Sequence, residues 1–261
     1  MGTCDDPQDA LGRGTEAAAK SLFTVTPAQR GWRPFAAAGL LLVASFVALP
    51  LSAPLDRWCI HRHCPAGVAK FLQITEPFGH GFGILLIGLL VFQLDPAKRW
   101  AVPRLLAVGI GSGVLADLIK VFISRAITAS GSLAASVGEV LHGWLAETTA
   151  ARAQTCPSGH VAAATALALA LSALYPRGRL FFFALALLSA CQRIEEGAHH
   201  PCDVLAGAAV GCLVIAICVY RGSIAALLDR REAFFRDYFA AMAPRRGSCP
   251  TARNRELSII E

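Results

Sequence analysis

Six apolar runs, at residues 35–53, 78–94, 102–123, 159–175, 180–192 and 202–220, constrain this 261-residue chain more than any other feature. Most approach the roughly 17–25 residues that an α-helix needs to cross a bilayer. The composition agrees: 55% of residues are hydrophobic and 16% are charged, whereas soluble domains carry about 25% charged residues. The chain therefore reads as all-α, a six-helix transmembrane bundle. The fifth run is short. It is expected to continue into the polar residues 193–196, where protein and not lipid would surround the backbone.

A net charge of +6 invites a nucleic-acid reading, but the distribution argues for topology instead. With both ends in the cytoplasm, seventeen of the 24 Lys and Arg residues fall on the inner side and seven on the outer. The positive-inside rule favours that orientation, and no nucleic-acid partner is expected. Residues 1–30 are polar, and the first apolar run starts at Phe35, later and longer than a cleaved signal peptide would. They read as a disordered cytoplasmic tail, followed by one bundle over residues 31–221 with no internal repeat. Residues 222–261 read as a basic amphipathic cytoplasmic tail. There Arg230, Arg231, Arg236, Arg245 and Arg246 interleave with Phe234, Phe235, Tyr238, Phe239 and Met242. That stripe suits a helix lying on an anionic leaflet.

Two outer loops carry further patterns. Between the third and fourth runs, Leu133, Val137, Val140, Leu141, Trp144 and Leu145 recur at helical spacing. Such a helix either guides a lipid at the interface or packs on the bundle. In the first outer loop, Cys59, His61, His63 and Cys64 are more crowded than zinc ligands usually are. A loop disulfide or no special role is the expected reading.

The chemistry-bearing residues cluster in three places. Arg193, His199 and Asp203 stand at the spacing R-x5-H-x3-D. On a helix, His199 and Asp203 would share a face. The carboxylate could then accept the Nδ1 proton and leave Nε2 free as base, nucleophile or ligand. Pro157, Ser158, Gly159 and His160 form a helix start, with Ser158 as N-cap and free N–H groups behind it that attract anions. Alone, that pattern is merely a well-capped membrane helix. Lys120 and Arg125 lie at the end of the third run. Ionisable residues inside spans are costly, which points to function for Lys120, His160 and Arg193, with Asp117 as a structural partner of Lys120 one turn away. Under the inferred topology all three segments meet on the extracytoplasmic face. Cations and two histidines without a ligand cluster describe metal-free phosphate ester chemistry. Glu195 and Glu196 are expected to be solvated outside the site, with tempering of its charge as the alternative. Glu76 and His80, four residues apart at the start of the second run, are expected to mark the membrane boundary rather than edge the cavity.

Together these residues resemble the type-2 phosphatidic acid phosphatase family, membrane lipid phosphate phosphatases that share a helical core with vanadium haloperoxidases. That family carries K-x6-R-P, then P-S-G-H, then S-R-x5-H-x3-D. The second motif is intact at residues 157–160, and the third matches at Arg193, His199 and Asp203, with Gln192 in the usual serine position. The continuation from His199 to Gly207 is also typical of the family. The first motif departs: Lys120 is present, but Ile127 and Thr128 occupy the R-P positions, and Arg125 comes two residues early. The resemblance covers roughly residues 100–210. It implies that His199 attacks phosphorus, that Asp203 holds its tautomer, and that His160 serves as acid and then base. Lys120, Arg125, Ser158, Gly159 and Arg193 would clamp the phosphate, with no metal and no cofactor.

The expected function is an integral membrane lipid phosphatase with a lipid phosphate monoester or pyrophosphate as substrate. A phosphotransferase passing the phosphoryl group to another acceptor is the alternative within enzymes. A non-catalytic transporter or scaffold that keeps the fold is the alternative outside them, although the two related halves common in transporters are absent. Lys120 and Arg125 lie about 140° apart around a continuous helix. An unwinding near Ser124 is therefore expected to return Arg125 to the phosphate, with Arg152 in the outer loop as its competitor.

Overall fold

The computed structural model describes residues 33–60, 64–129, 156–220 and 223–242, without the side chains of 51–60, 124–129, 220, 223, 240 and 242. The tail at 1–30, the loop pattern at 133–145, Arg152, most of the Cys59 to Cys64 cluster, and everything beyond 242 lie outside the described residues.

Every described regular element is helical. The order is α1 (Arg33–Ile60), α2 (Ala66–Thr75), a 3-10 turn (Glu76–Gly79), α3 (Gly81–Leu94), a 3-10 turn (Pro96–Ala101) and α4 (Val102–Ala129). Beyond residues 130–155 come α5 (Gly159–Leu174), α6 (Arg179–Glu195), α7 (Pro201–Ile215), a π-helical turn (Ala216–Tyr220) and α8 (Ser223–Met242). The six apolar runs correspond to α1, α3, α4, α5, α6 and α7. Three stretches, Arg33–Pro50, Pro96–Ile123 and Pro201–Val219, are by themselves long and apolar enough to cross a membrane. The pair α2 and α3 qualifies only as a bent unit, with 69° between its two helices.

The bundle is built around α5. Its alanine-rich sequence leaves little side-chain bulk, so α4, α6 and α7 all pack against it. Ala162, Ala164, Ala166, Leu167 and Ala168 have no exposed surface. The closest approach is made by α7 through Gly207 and Gly211, a small-x3-small pair. A methyl group on either would lie 2.4 Å from the Ser158 carbonyl oxygen or 2.6 Å from that of Ala162. The outside of the bundle is the reverse of a soluble surface. Leu40, Phe46, Leu94, Phe122, Leu180 and Leu187 are all more than half exposed. Apolar area on that scale needs lipid as its solvent. The chain is a membrane protein.

Two expectations are corrected here. First, α4 runs unbroken through Ser124 to Ala129, so its backbone does not turn back towards the phosphate site. The sequence from Lys120 to Ala129 contains no glycine or proline to break the helix. Second, α8 does more than present a basic stripe. One face docks on the bundle, where Arg104 of α4 meets Asp229 at 2.5 Å and Glu232 at 2.7 Å. Phe239 packs edge-on against Phe92, with ring centroids 5.9 Å apart.

Candidate active site

The start of α5, the end of α6 and the start of α7 meet at one end of the bundle. There α6 closes through Gly197, whose φ of +72° is a left-handed conformation that favours glycine. The following turn folds back, and the His199 N–H donates to the Arg193 carbonyl at 3.2 Å. Across the junction, the Ser158 N–H donates to the Asp203 carbonyl at 3.1 Å, locking α5 to α7. The first N–H groups of α5 have no partner within the helix and give this end a positive pole. Gly159 lies against Asp117, since a methyl there would sit 3.1 Å from Asp117 Oδ1. The Lys120 ammonium contacts that same oxygen at 3.3 Å, the partnership expected from their spacing.

Buried polar atoms without hydrogen-bond partners gather here. Among the described residues they include Ser158 Oγ, His160 Nε2, Ser189 Oγ, Gln192 Oε1, Arg193 Nε and His199 Nδ1. Native interiors leave few such atoms, and a cluster of them marks a place where the fold has been shaped for something other than stability. Ser158 occupies the N-cap position but its hydroxyl makes no capping bond, so the serine is not there to close its own helix. Electrostatics tie the set together. Burial pushes the His199 imidazole down to about 4, opposed by Asp203 and reinforced by Lys120, Arg193 and His160. His199 is therefore neutral, with a lone pair available, across the ordinary pH range.

Asp203 does not stand where its spacing suggests. Its Oδ2 accepts the His200 N–H at 3.0 Å and lies 3.1 Å from His200 Nδ1, but 4.0 Å from His199 Nδ1. The reason is local. His200 is the N-cap of α7 and Asp203 its third residue, so the carboxylate reaches back as one half of a capping box. His199 precedes the helix, and the i, i+4 argument, which assumes helical geometry, does not apply to it.

Four further acidic and imidazole groups enter the site, three of them, Glu196, Glu76 and His80, against the expectation that they stand outside it. Glu196 pairs with Arg193 Nη2 and accepts from Gln192 Nε2 at 3.0 Å, so it tempers the arginine instead of standing clear of it. Glu76 approaches Arg193 Nη1 at 3.6 Å, and the His80 ring lies 5.6 Å from that of His160. His200 is the fourth, through its contact with Asp203. The sequence signal for Glu76 and His80 is the string Glu-Pro-Phe-Gly-His, which sets a carboxylate, a proline and an imidazole at the entry to the second apolar run. The Arg125 side chain lies outside the described residues.

The comparison with known families decides where this arrangement belongs. Residues 100–223 match the PAP2 superfamily. That stretch is a PAP2 superfamily domain, the domain of the type-2 phosphatidic acid phosphatases. It is also similar to a lipid A 1-phosphatase of Rhizobium etli, 29% identical over 168 residues, which are 56% of this chain and 68% of that protein. A lipid A 1-phosphatase of Rhizobium johnstonii is 41% identical over 58 residues, 22% of this chain and 24% of that protein. No solved structure matches the chain significantly. Lys120, Ser158, Gly159, His160, Arg193, His199 and Asp203 all fall inside the PAP2 match, whereas Glu76 and His80 fall outside it.

Proposed function

We propose that this PAP2 protein is a lipid phosphatase that hydrolyses a lipid phosphate monoester or pyrophosphate through a phosphohistidine. The observation that carries this reading is the convergence of a neutral His199 with His160, Lys120 and Arg193 at the positive end of α5. His199 Nε2 attacks phosphorus in line, the bond from phosphorus to the leaving oxygen breaks, and His160 delivers its proton to that oxygen. Water then attacks the phosphohistidine, the phosphorus–nitrogen bond breaks, and His160 takes the water proton, restoring both imidazoles. Lys120, Arg193 and the Ser158–Gly159 end of α5 bind the equatorial oxygens as charge develops on them. Asp203 needs to exchange part of its hold on His200 for His199 Nδ1, closing a gap that catalytic contacts often show without substrate. The unbroken α4 sets the backbone of Arg125 about 140° around the helix from Lys120, so Arg125 is not needed for this clamp.

A cavity of about 660 Å³ supports a lipid as substrate. It runs between α1, α4 and α7, is lined by side chains such as Phe35, Leu42, Phe46, Ile123, Val210 and Leu213, and ends at Pro157 and Asp203. An acyl chain entering from the bilayer would bring its phosphate to the end of α5. Phosphatidic acid, phosphatidylglycerol phosphate, a polyprenyl pyrophosphate and the phosphate of a glycolipid all fit that description, the last being the class named in the two rhizobial relatives. The charge distribution supports an orientation with both termini in the cytoplasm and the chemistry on the extracytoplasmic face.

Purified protein in detergent, assayed for phosphate release across that lipid panel, tests the reading. His199→Ala should abolish turnover, and His160→Ala should lose roughly 10²–10⁴-fold while still accumulating phosphohistidine in rapid-quench labelling. Wild-type release by His199→Ala overturns the mechanism. Reporter fusions after residues 98 and 225 should report cytoplasm, and one within 130–150 the outside.

A further inference from the structure

The second span is broken beside the site, where α2 gives way to α3 at the start of the second apolar run. α2, continued by the 3-10 turn Glu76–Gly79, meets α3 at 69°, with the break at His80. A methyl group on Gly79 would lie 2.6 Å from the His160 carbonyl oxygen and 3.1 Å from Ser189 Oγ, so the turn rests directly on α5 and α6. His80 then starts α3 by accepting the Phe82 N–H on its Nδ1 at 3.3 Å. Broken helices persist at membrane depth only where protein or a cavity satisfies the freed backbone, and they commonly line binding sites. From this platform Glu76 reaches Arg193 Nη1 at 3.6 Å while Glu196 takes Nη2. Arg193 Nε is left buried without a partner.

We propose that Glu76 is a positioning residue for Arg193, a role that rests on the phosphatase reading above. Carboxylates on both terminal nitrogens fix the plane of the guanidinium and leave Nε–H as the donor offered to the phosphoryl group. An arginine held on one side only would sample several rotamers and pay for its order when the transition state forms. Glu76 comes from a helix outside the superfamily match, so this chain supplies the support from its own second span.

Three accounts of the contact separate by kinetics. If Glu76 positions Arg193, Glu76→Gln lowers kcat roughly 10- to 100-fold at nearly unchanged thermal stability. It should then have no further effect in an Arg193→Lys background, because it acts only through that guanidinium. Glu195→Gln, which removes a neighbouring charge from outside the cluster, should leave kcat and KM alone. If Glu76 merely competes with substrate for the arginine, Glu76→Gln lowers KM with kcat unchanged or raised, and the proposal falls. It also falls if Glu76→Gln lowers thermal stability while kcat per folded molecule stays at wild type. Multiplicative losses from Glu76→Gln and Arg193→Lys overturn it too. Absence of phosphate release by the wild-type protein across the lipid panel would instead remove the phosphatase reading itself, so the two failures are distinguishable.

Discussion

Arg193 and Arg104 are both buried arginines on membrane helices, and each meets two carboxylates, yet the fold treats them in opposite ways. Arg104 has 1% of its side chain exposed and contacts Asp229 at 2.5 Å and Glu232 at 2.7 Å, the latter carboxylate only 5% exposed. Arg193 is 10% exposed, and its partners Glu76 and Glu196 are 41% and 48% exposed. A buried carboxylate cannot release its cation without a large desolvation cost, whereas a half-exposed one can turn to water. Arg104 is committed to holding α8. Arg193 keeps an unpartnered Nε and sits among other unpartnered atoms, so it has something to offer a ligand. The two lie towards opposite ends of the bundle: Arg104 and the site residue Lys120 are sixteen residues apart on α4, about 24 Å along the helix.

The largest expected effect tests the functional half of that contrast. Arg193→Met should reduce kcat/KM by roughly 10²–10³-fold, the usual loss when one donor to a developing oxyanion is removed. Its thermal unfolding in detergent should move little. Arg104→Met should do the reverse, costing about 3–5 kcal/mol because Glu232 is left buried and unpaired. Activity per folded molecule should remain. The double variant Arg104→Met/Glu232→Leu should recover much of the stability, since an apolar pair of similar volume can replace a buried ion pair. Arg193→Met with unchanged activity, or Arg104→Met with unchanged stability, would erase the distinction between the two ends.

A smaller effect concerns the charge state that this environment imposes on the nucleophile. Burial holds the His199 imidazole down to about 4, with the cations of the site adding to the effect and Asp203 opposing it. Attack requires the neutral ring, so kcat/KM should rise as pH climbs through about 4 and show no further rise from this group above pH 5. Replacing Lys120 with Met removes a cation that lowers the value, so the acid limb should move to higher pH as overall activity falls. A wild-type limb near 6.5, measured as kcat/KM against pH, would mean an ordinary solvated histidine and a site more open than the fold implies.

The contrast also separates what was legible in the sequence from what was not. The apolar runs announced α1, α3, α4, α5, α6 and α7, because lipid leaves a helix little choice. Lys120, Ser158, His160, Arg193 and His199 came from residue types and spacings that are hard to reconcile with lipid-facing helices, and they do lie near one another. Three features stayed hidden for physical reasons. The His199–Asp203 relation depended on where α7 begins, and a one-residue shift of that boundary hands the carboxylate to His200. The break at His80 looks in sequence like a membrane edge, and only packing of Gly79 on the His160 carbonyl makes it part of the site. The pairing of Arg104 with α8 joins residues 125 positions apart, beyond the reach of any local pattern.

The smallest expected effect probes the apolar side of the site, where neither arginine acts. Gly39 lines the cavity between α1, α4 and α7, and a side chain added there meets nothing within 4 Å at its first carbon. Gly39→Leu should therefore fill acyl-chain space without disturbing the bundle, and leucine is also the better helix former by up to about 1 kcal/mol. The loss should fall on binding: an increase in KM of roughly tenfold for a long-chain lipid phosphate, the scale of one or two displaced methylenes in an apolar pocket. A water-soluble short-chain phosphate, which needs only the cations at the end of α5, should be hydrolysed at the wild-type kcat/KM. Equal losses on both substrates would show that Gly39→Leu reaches the phosphate end through the protein. No loss on either would place the acyl chain elsewhere on the bundle, and the cavity would then have no part in choosing the substrate.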